Sequence, residues 1–273
     1  MFQVEKKRRT ALVAAFETAE VTFHATVRSA RGSESNALFG LMMSVLMSAF
    51  FIISLYVTMK LLGFRNPAFH GDFMLFIISG VLPYMTYART MRAVYGAPSS
   101  TSAIMLHGPM TTAVSIISSA LGALYMMSLT TAVVLFAYHL GYLPLSLNDP
   151  AYIFFNMLLS WYFGIATGMV LMAIRPWVPQ LAPILLTVIA RANIFASGKT
   201  VLGNTLGFTK LKLFDWNPLF HIIDQTRGAY FINYSPRNSD IWYAVWVSVA
   251  LMAIGLMGEF FTRKHASSSW SKL

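Results

Sequence analysis

The feature that most restricts this chain is the run "GLMMSVLMSAFFIISLYVTMKLL" at 40–62, whose one charged residue, Lys60, comes near its end. A helix needs roughly 20 mostly apolar residues to cross a bilayer, where every backbone N–H and C=O must be bonded within the segment. A second run of this kind, "IWYAVWVSVALMAIGLMGEFF", occupies 241–261, and others fall near 73–91, 111–139, 151–174 and 181–198. The fifth in chain order is interrupted by Arg191 and carries Pro183 near its start. Hydrophobic residues make up 56% of the chain and charged residues only 11%. A soluble domain carries about a quarter charged residues, because its surface faces water. The sequence therefore predicts an all-α integral membrane protein with about six transmembrane helices.

The formal net charge of +10 raises the question of nucleic acid. Nucleic-acid binders gather basic residues on one soluble face, whereas here they flank apolar runs, as membrane topology requires. No nucleic-acid partner is expected. An even number of spans puts both termini on one side, and the positive-inside bias names it. With cytoplasmic termini, the inner segments hold Lys6, Lys7, Arg8, Arg9, Arg28, Arg31, Arg89, Arg92, Arg175, Arg263, Lys264 and Lys272. The outer segments hold Lys60, Arg65, Lys199, Lys210, Lys212, Arg227 and Arg237. Both termini are expected in the cytoplasm. The basic start imitates a signal peptide, but Glu17 and Glu20 cut its apolar run short and no cleavage pattern follows, so it is expected to be retained.

Two segments do not fit simple spans. Leu12, Phe16, Ala19, Phe23 and Val27 recur at steps of three and four, with Glu17, Glu20, His24, Arg28 and Arg31 on another face. That pattern is an amphipathic helix of the headgroup layer, or one packed on a soluble partner; the span directly after it favours the first. The stretch 199–240 is too long for a hairpin and too apolar for a disordered loop. Its "FTKLKLFDWNPLFHIIDQTRGAYFINYSP" offers Asn217-Pro218 as a helix start and Gly228 as a break. A helix from Pro218 places His221, Asp224 and Arg227 roughly on one face. Short re-entrant or interfacial helices are expected there, an ordinary outer cap with an aromatic belt being the alternative.

Chemical motifs are sparse. "NIFASGKT" at 193–200 ends as a P-loop does, but Asn193 stands where the first glycine of G-x-x-x-x-G-K-[ST] belongs, and the preceding "PILLTVIARA" leads up a span. The six histidines show no metal-ligand spacing, there is no cysteine, and no G-x-S-x-G elbow occurs. Neither an enzyme nor a bound cofactor or metal is expected. Carboxylates are nearly absent from the spans, since Glu259 lies at a cytoplasmic end, which argues against a proton-coupled transporter. The second span ends "GVLPYMTYARTMRAVYGAPSS", with Arg89 and Arg92 at i,i+3, positions from which arginines snorkel to headgroups or face a partner. Gly164 and Gly168 form a G-x-x-x-G pair, a spacing that permits close helix approach.

The layout is an amphipathic helix, about six spans, a polar loop "SSTSAIMLHGPMTTAV" after the second, and an aromatic outer segment after the fifth. With the run "NPLFHIIDQTRGAYF" at 217–231, it resembles the ABC type 2 permeases, above all the membrane subunit of capsular-polysaccharide exporters. The resemblance implies residues 1–39 as a cytoplasmic tail and gate helix, 40–261 as the transmembrane domain, and 262–273 as a cytoplasmic tail. It implies a multi-pass protein of the bacterial inner membrane, working as a homodimer. Two ATPase subunits would dock beneath, carrying the ATP and magnesium that this chain does not bind. A periplasmic co-polymerase and an outer-membrane channel would continue the path of a lipid-linked acidic polysaccharide.

On that resemblance the ATPase-coupling residues are Arg92, Tyr95, Ser99 and Ser100, and the gate helix presents Phe16, Phe23 and Arg28. Channel or substrate contacts fall to Tyr84, Tyr87, Arg89, Trp161, Tyr162, Lys199, Asn217, His221, Asp224 and Arg227. Aromatic faces suit sliding sugar rings, the cations suit an acidic polymer, and a processive channel needs many weak contacts. Other readings are a permease of the same type for O-antigen, teichoic acid or a drug, a lipid-modifying membrane enzyme, and a non-transporting anchor.

Overall fold

The computed structural model describes residues 11–31, 37–63, 71–98 and 111–270. Among them every regular element is helical: α1 (Ala11–Arg31), α2 (Ala37–Leu61), α3 (Phe73–Tyr95), α4 (Thr112–Gly141), α5 (Pro150–Ile174), α6 (Ala182–Ala196), α7 (Phe208–Leu211), α8 (Pro218–Tyr230) and α9 (Ile241–Trp270), with one 3-10 turn at Gly203–Thr205. Four stretches, Leu38–Leu61, Thr112–Gly141, Pro150–Ile174 and Ile241–His265, are long and apolar enough to cross a membrane. The all-helical reading and four of the six expected runs stand on that basis. The run near 73–91 became α3, whose polar C-terminal half dilutes it, and the run near 181–198 became α6, only 15 residues long.

Helix starts follow local chemistry. Asp72, Thr111, Asp149 and Asn217 each cap a helix, their side-chain oxygens accepting from Leu75, Val114, Tyr152 and Leu219 backbone N–H groups. Each satisfies one of the orphan donors of a first turn, and Pro150 and Pro218 sit where a missing N–H costs nothing. Asp72 also accepts from the Tyr138 hydroxyl at 2.9 Å, tying the start of α3 to the end of α4.

The helix α3 is the axis of the molecule: 17 of its 23 residues are buried, and it packs on α2, α4, α5, α6 and α8. In α5, 67% of the apolar window is buried, against 17% in both α2 and α9, so α5 is central and those two are peripheral. The Gly164–Gly168 pair explains the α3–α5 seam. A β-carbon at Gly164 would lie 2.7 Å from the Tyr87 carbonyl oxygen, and one at Gly168 would lie 2.8 Å from that of Met91. The G-x-x-x-G spacing thus serves packing within the chain.

Two boundaries move. Gly228 does not break α8, which continues to Tyr230; a β-carbon there would stand 2.7 Å from the Pro236 ring, so glycine serves close packing. α9 continues to Trp270, through residues expected as a tail. On α1 the side packed against α4 includes Ser29, beside Gly122, while Phe16 and Phe23 are 75% and 64% exposed. These two rings are therefore not spent on the protein.

Candidate functional site

The polar groups concentrate in two places along α3. The first surrounds α8, of whose 13 residues eleven are buried, packed on α3, α5 and α9. Arg227 is 0% exposed. Its guanidinium donates to the carbonyls of Gly198 (3.2 Å), Lys199 and Val201, the turn that ends α6, and stands 4.3 Å over the Phe76 ring. Five donors in a fixed fork suit three diverging carbonyls, as an ammonium does not.

Asp224, also 0% exposed, serves the other side of that turn. It accepts from the Gly203 amide (3.1 Å), the Tyr234 hydroxyl and the Ser239 hydroxyl (2.9 Å). Gly203 leaves room for this, since a β-carbon would sit 2.7 Å from the carboxylate. Nearby, the His221 imidazole accepts from the Asp240 amide at Nδ1 (3.0 Å), leaving its proton on Nε2 to donate to the Asp215 carbonyl (2.8 Å). Asn217 caps α8 and donates to the Asn193 side chain at 2.8 Å, while Asn193 donates to the Tyr87 hydroxyl at 3.2 Å. At its far end α8 is tied to the start of α5, through the Asp149 amide on the Ala229 carbonyl and Asn148 on that of Gly228.

Lys199, expected to attract a polymer at the outer exit, is only 1% exposed. Gly198, at φ +62°, turns the chain so that this side chain folds inward. The ammonium donates to the Ile194 carbonyl at 2.7 Å and stands 4.2 Å over Tyr84 and 4.9 Å over Phe51. The "GKT" of the discarded P-loop is therefore a turn closed by a caged lysine. His221, Asp224 and Arg227 share α8, as expected, but each is engaged with a different part of the stretch 198–240. Among the described residues no three His, Asp or Glu gather to hold a metal ion.

The second place lies toward the C-terminal end of α3. Arg89 is half-buried and donates to Ser44 Oγ at 2.5 Å; Arg92 is exposed. Both line an open cleft of about 370 Å³ between α1, α2, α3 and α4. Tyr84 lines the cleft too, linking it to the Lys199 cage, and its hydroxyl donates to the Ala190 carbonyl at 3.1 Å.

The remaining expected contacts separate. Tyr87 is 0% exposed and stacked on Phe163 at 4.9 Å, so it faces neither lumen nor lipid in the single chain. Trp161 donates to the Ala120 carbonyl at 2.7 Å, and Tyr162 packs half-buried against the core. The Tyr95 carbonyl accepts from Arg175 at 3.0 Å, and Arg28 is exposed on α1. Ser99 and Ser100 fall outside the described residues. Sequence reasoning passed over Phe51, Phe76, Gly203, Tyr234 and Ser239, which complete the buried network. They lie far from their partners in sequence and follow no period, so only the fold brings them together.

No protein-family model matches the chain, and no curated protein sequence matches it.

Proposed function

We propose that this chain is the membrane-embedded permease subunit of an ATP-driven exporter of the ABC type 2 kind. It works as a pair and moves a lipid-linked capsular polysaccharide across the bacterial inner membrane, with ATP hydrolysed on a separate subunit. In this reading all six apolar runs span. α3, with 23 residues, is about 34 Å long, enough for a hydrocarbon core of about 30 Å. α6, about 22 Å long, falls short and is completed by the turn that Arg227 fastens. α7 and α8 re-enter from the outer side, and both termini lie in the cytoplasm.

The observation that carries the reading is α8. A polar 13-residue helix directly before the last apolar helix is buried against α3, α5 and α9 instead of lying on the surface. Such a plug suits the exit of a channel closed at rest, since irregular backbone at membrane depth must be covered by protein. The exposed Phe16 and Phe23 of α1 support the interfacial gate helix.

The test is co-purification of the full chain from its native membrane. An ATPase that accompanies it, and whose turnover falls when Tyr95 is replaced, supports the proposal. A chain that associates with no ATPase, or whose deletion leaves polymer export intact, overturns it. Polymer retained in the cytoplasm on deletion would exclude the anchor reading, and neighbouring capsule-synthesis genes would separate capsule from O-antigen, teichoic acid or drug.

A further inference from the structure

The cleft at Arg89 and Arg92 is not closed off by its own polar groups, unlike the network around α8. Of the two arginines, Arg89 is held by Ser44, whereas the Arg92 guanidinium donates to no protein acceptor among the described residues. The rest of the lining is dominated by methionines, among them Met43, Met47, Met85 and Met126, with no carboxylate. Directly beside it lies a second cavity of about 430 Å³ between α1, α2 and α4, lined by Phe23, Val27, Leu38, Leu41 and Leu129 among others. Ala30 and Met126 line both, so the two spaces adjoin. The contact of Ser29 with Gly122, where a β-carbon would stand 2.8 Å from the hydroxyl, sets α1 close against α4 beside the cleft.

A cationic chamber opening onto an apolar one selects an amphiphile with an anionic head. We propose that the paired cavities bind one anionic glycerophospholipid of the surrounding bilayer, its phosphate on Arg89 and Arg92 and an acyl chain in the groove between α1, α2 and α4. Arginine forks match phosphate oxygens, and unbranched methionines adapt to a flexible chain. A sugar is a poorer occupant: it needs many hydrogen-bonding partners and an aromatic platform, and the arginine cleft offers Tyr84 alone among aromatics. The bound lipid would wedge α1 against the bundle, fixing the angle at which that helix leaves α4. None of this depends on what the protein transports.

The full chain in detergent micelles, stripped of lipid, is titrated with dioleoylphosphatidylglycerol and followed by native mass spectrometry. One saturable lipid per chain is expected, with dioleoylphosphatidylcholine binding clearly more weakly. Arg92→Gln, at an exposed position that the fold does not need, should weaken binding roughly tenfold or more, the scale of one charge-assisted hydrogen bond. Leu129→Trp, which fills the apolar chamber without touching charge, should weaken it as well. Arginines that merely snorkel into bulk headgroups predict no saturation and no effect of Leu129→Trp. Either of those two results overturns the proposal. So does equal binding of the two lipids, inorganic phosphate binding as tightly as phosphatidylglycerol, or a second copy of the chain found covering the cleft by cross-linking.

Discussion

Replacing Arg227 by glutamine tests whether this arginine fastens α8 to the turn that ends α6. The arginine is wholly buried, donates to three carbonyls of one turn and covers the Phe76 ring. A hydrogen bond to a charged group contributes about 1.5–3 kcal/mol, and a buried carbonyl left without a donor costs about 1–3. Glutamine has two N–H donors and a shorter reach, so at least one carbonyl and the ring face are abandoned. Against this stands the relief of burying a charge, which recovers part of the loss. The net expectation is destabilisation by roughly 3–4 kcal/mol, the scale on which breaking a buried charged network is felt. The chain contains no cysteine, so a single cysteine placed at Thr200 reports this turn alone. In micelles, Arg227→Gln should expose that thiol to a maleimide at least tenfold faster and lower the unfolding midpoint. Arg227→Lys should recover only part, because an ammonium cannot span three diverging acceptors. Unchanged labelling and midpoint in Arg227→Gln would refute the reasoning, since the turn would then be held by something other than this fork.

Three further substitutions probe neighbouring claims. Gly164→Ala forces a β-carbon to within 2.7 Å of the Tyr87 carbonyl, so α5 must back away from α3 at a cost of about 1–3 kcal/mol; Gly141→Ala, with nothing within 4 Å, should shift the thermal midpoint little, and equal shifts would sink the seam. Lys199 donates to the Ile194 carbonyl and faces the Tyr84 and Phe51 rings, so its ammonium helps to close the turn after α6. Lys199→Met keeps the length of the side chain but removes the donor, so it should cost about 1–3 kcal/mol and speed maleimide labelling of a cysteine placed at Thr200; an unchanged midpoint and rate would sink the cage. Asp224→Asn puts an amide opposite the Gly203, Tyr234 and Ser239 donors and should cost about 1–3 kcal/mol, with faster proteolysis at 203–205 as the check.

What could be read from the sequence and what could not divides along a physical line. Apolar length is local, so the runs at 40–62, 111–139, 151–174 and 241–261 reappear as α2, α4, α5 and α9 within a few residues at most ends. Capping is local too, and Asn217-Pro218 marked the start of α8. Burial is not local. Nothing in "ASGKT" says that Lys199 will be caged by Phe51 and Tyr84, since those rings arrive from α2 and α3. Gly228 failed as a break because a glycine reads alike whether the backbone needs freedom or Pro236 needs space.

The cations then sort by how their charge is met. Arg227 and Lys199 are buried, and both are neutralised by backbone carbonyls and aromatic faces. A charge satisfied that way holds a turn in place and has little left for a passing polyanion. Arg89 and Arg92 sit in an open cleft with a single serine hydroxyl between them, so an external anion meets undercommitted donors there. An external anionic headgroup is accordingly met by the α3 arginines and not by Lys199 or Arg227. Substituting Arg92 should change ligand binding while leaving stability near its starting value, and substituting Arg227 should do the reverse. If both positions moved the same readout, the separation between a binding end and a fastened end of α3 would be wrong.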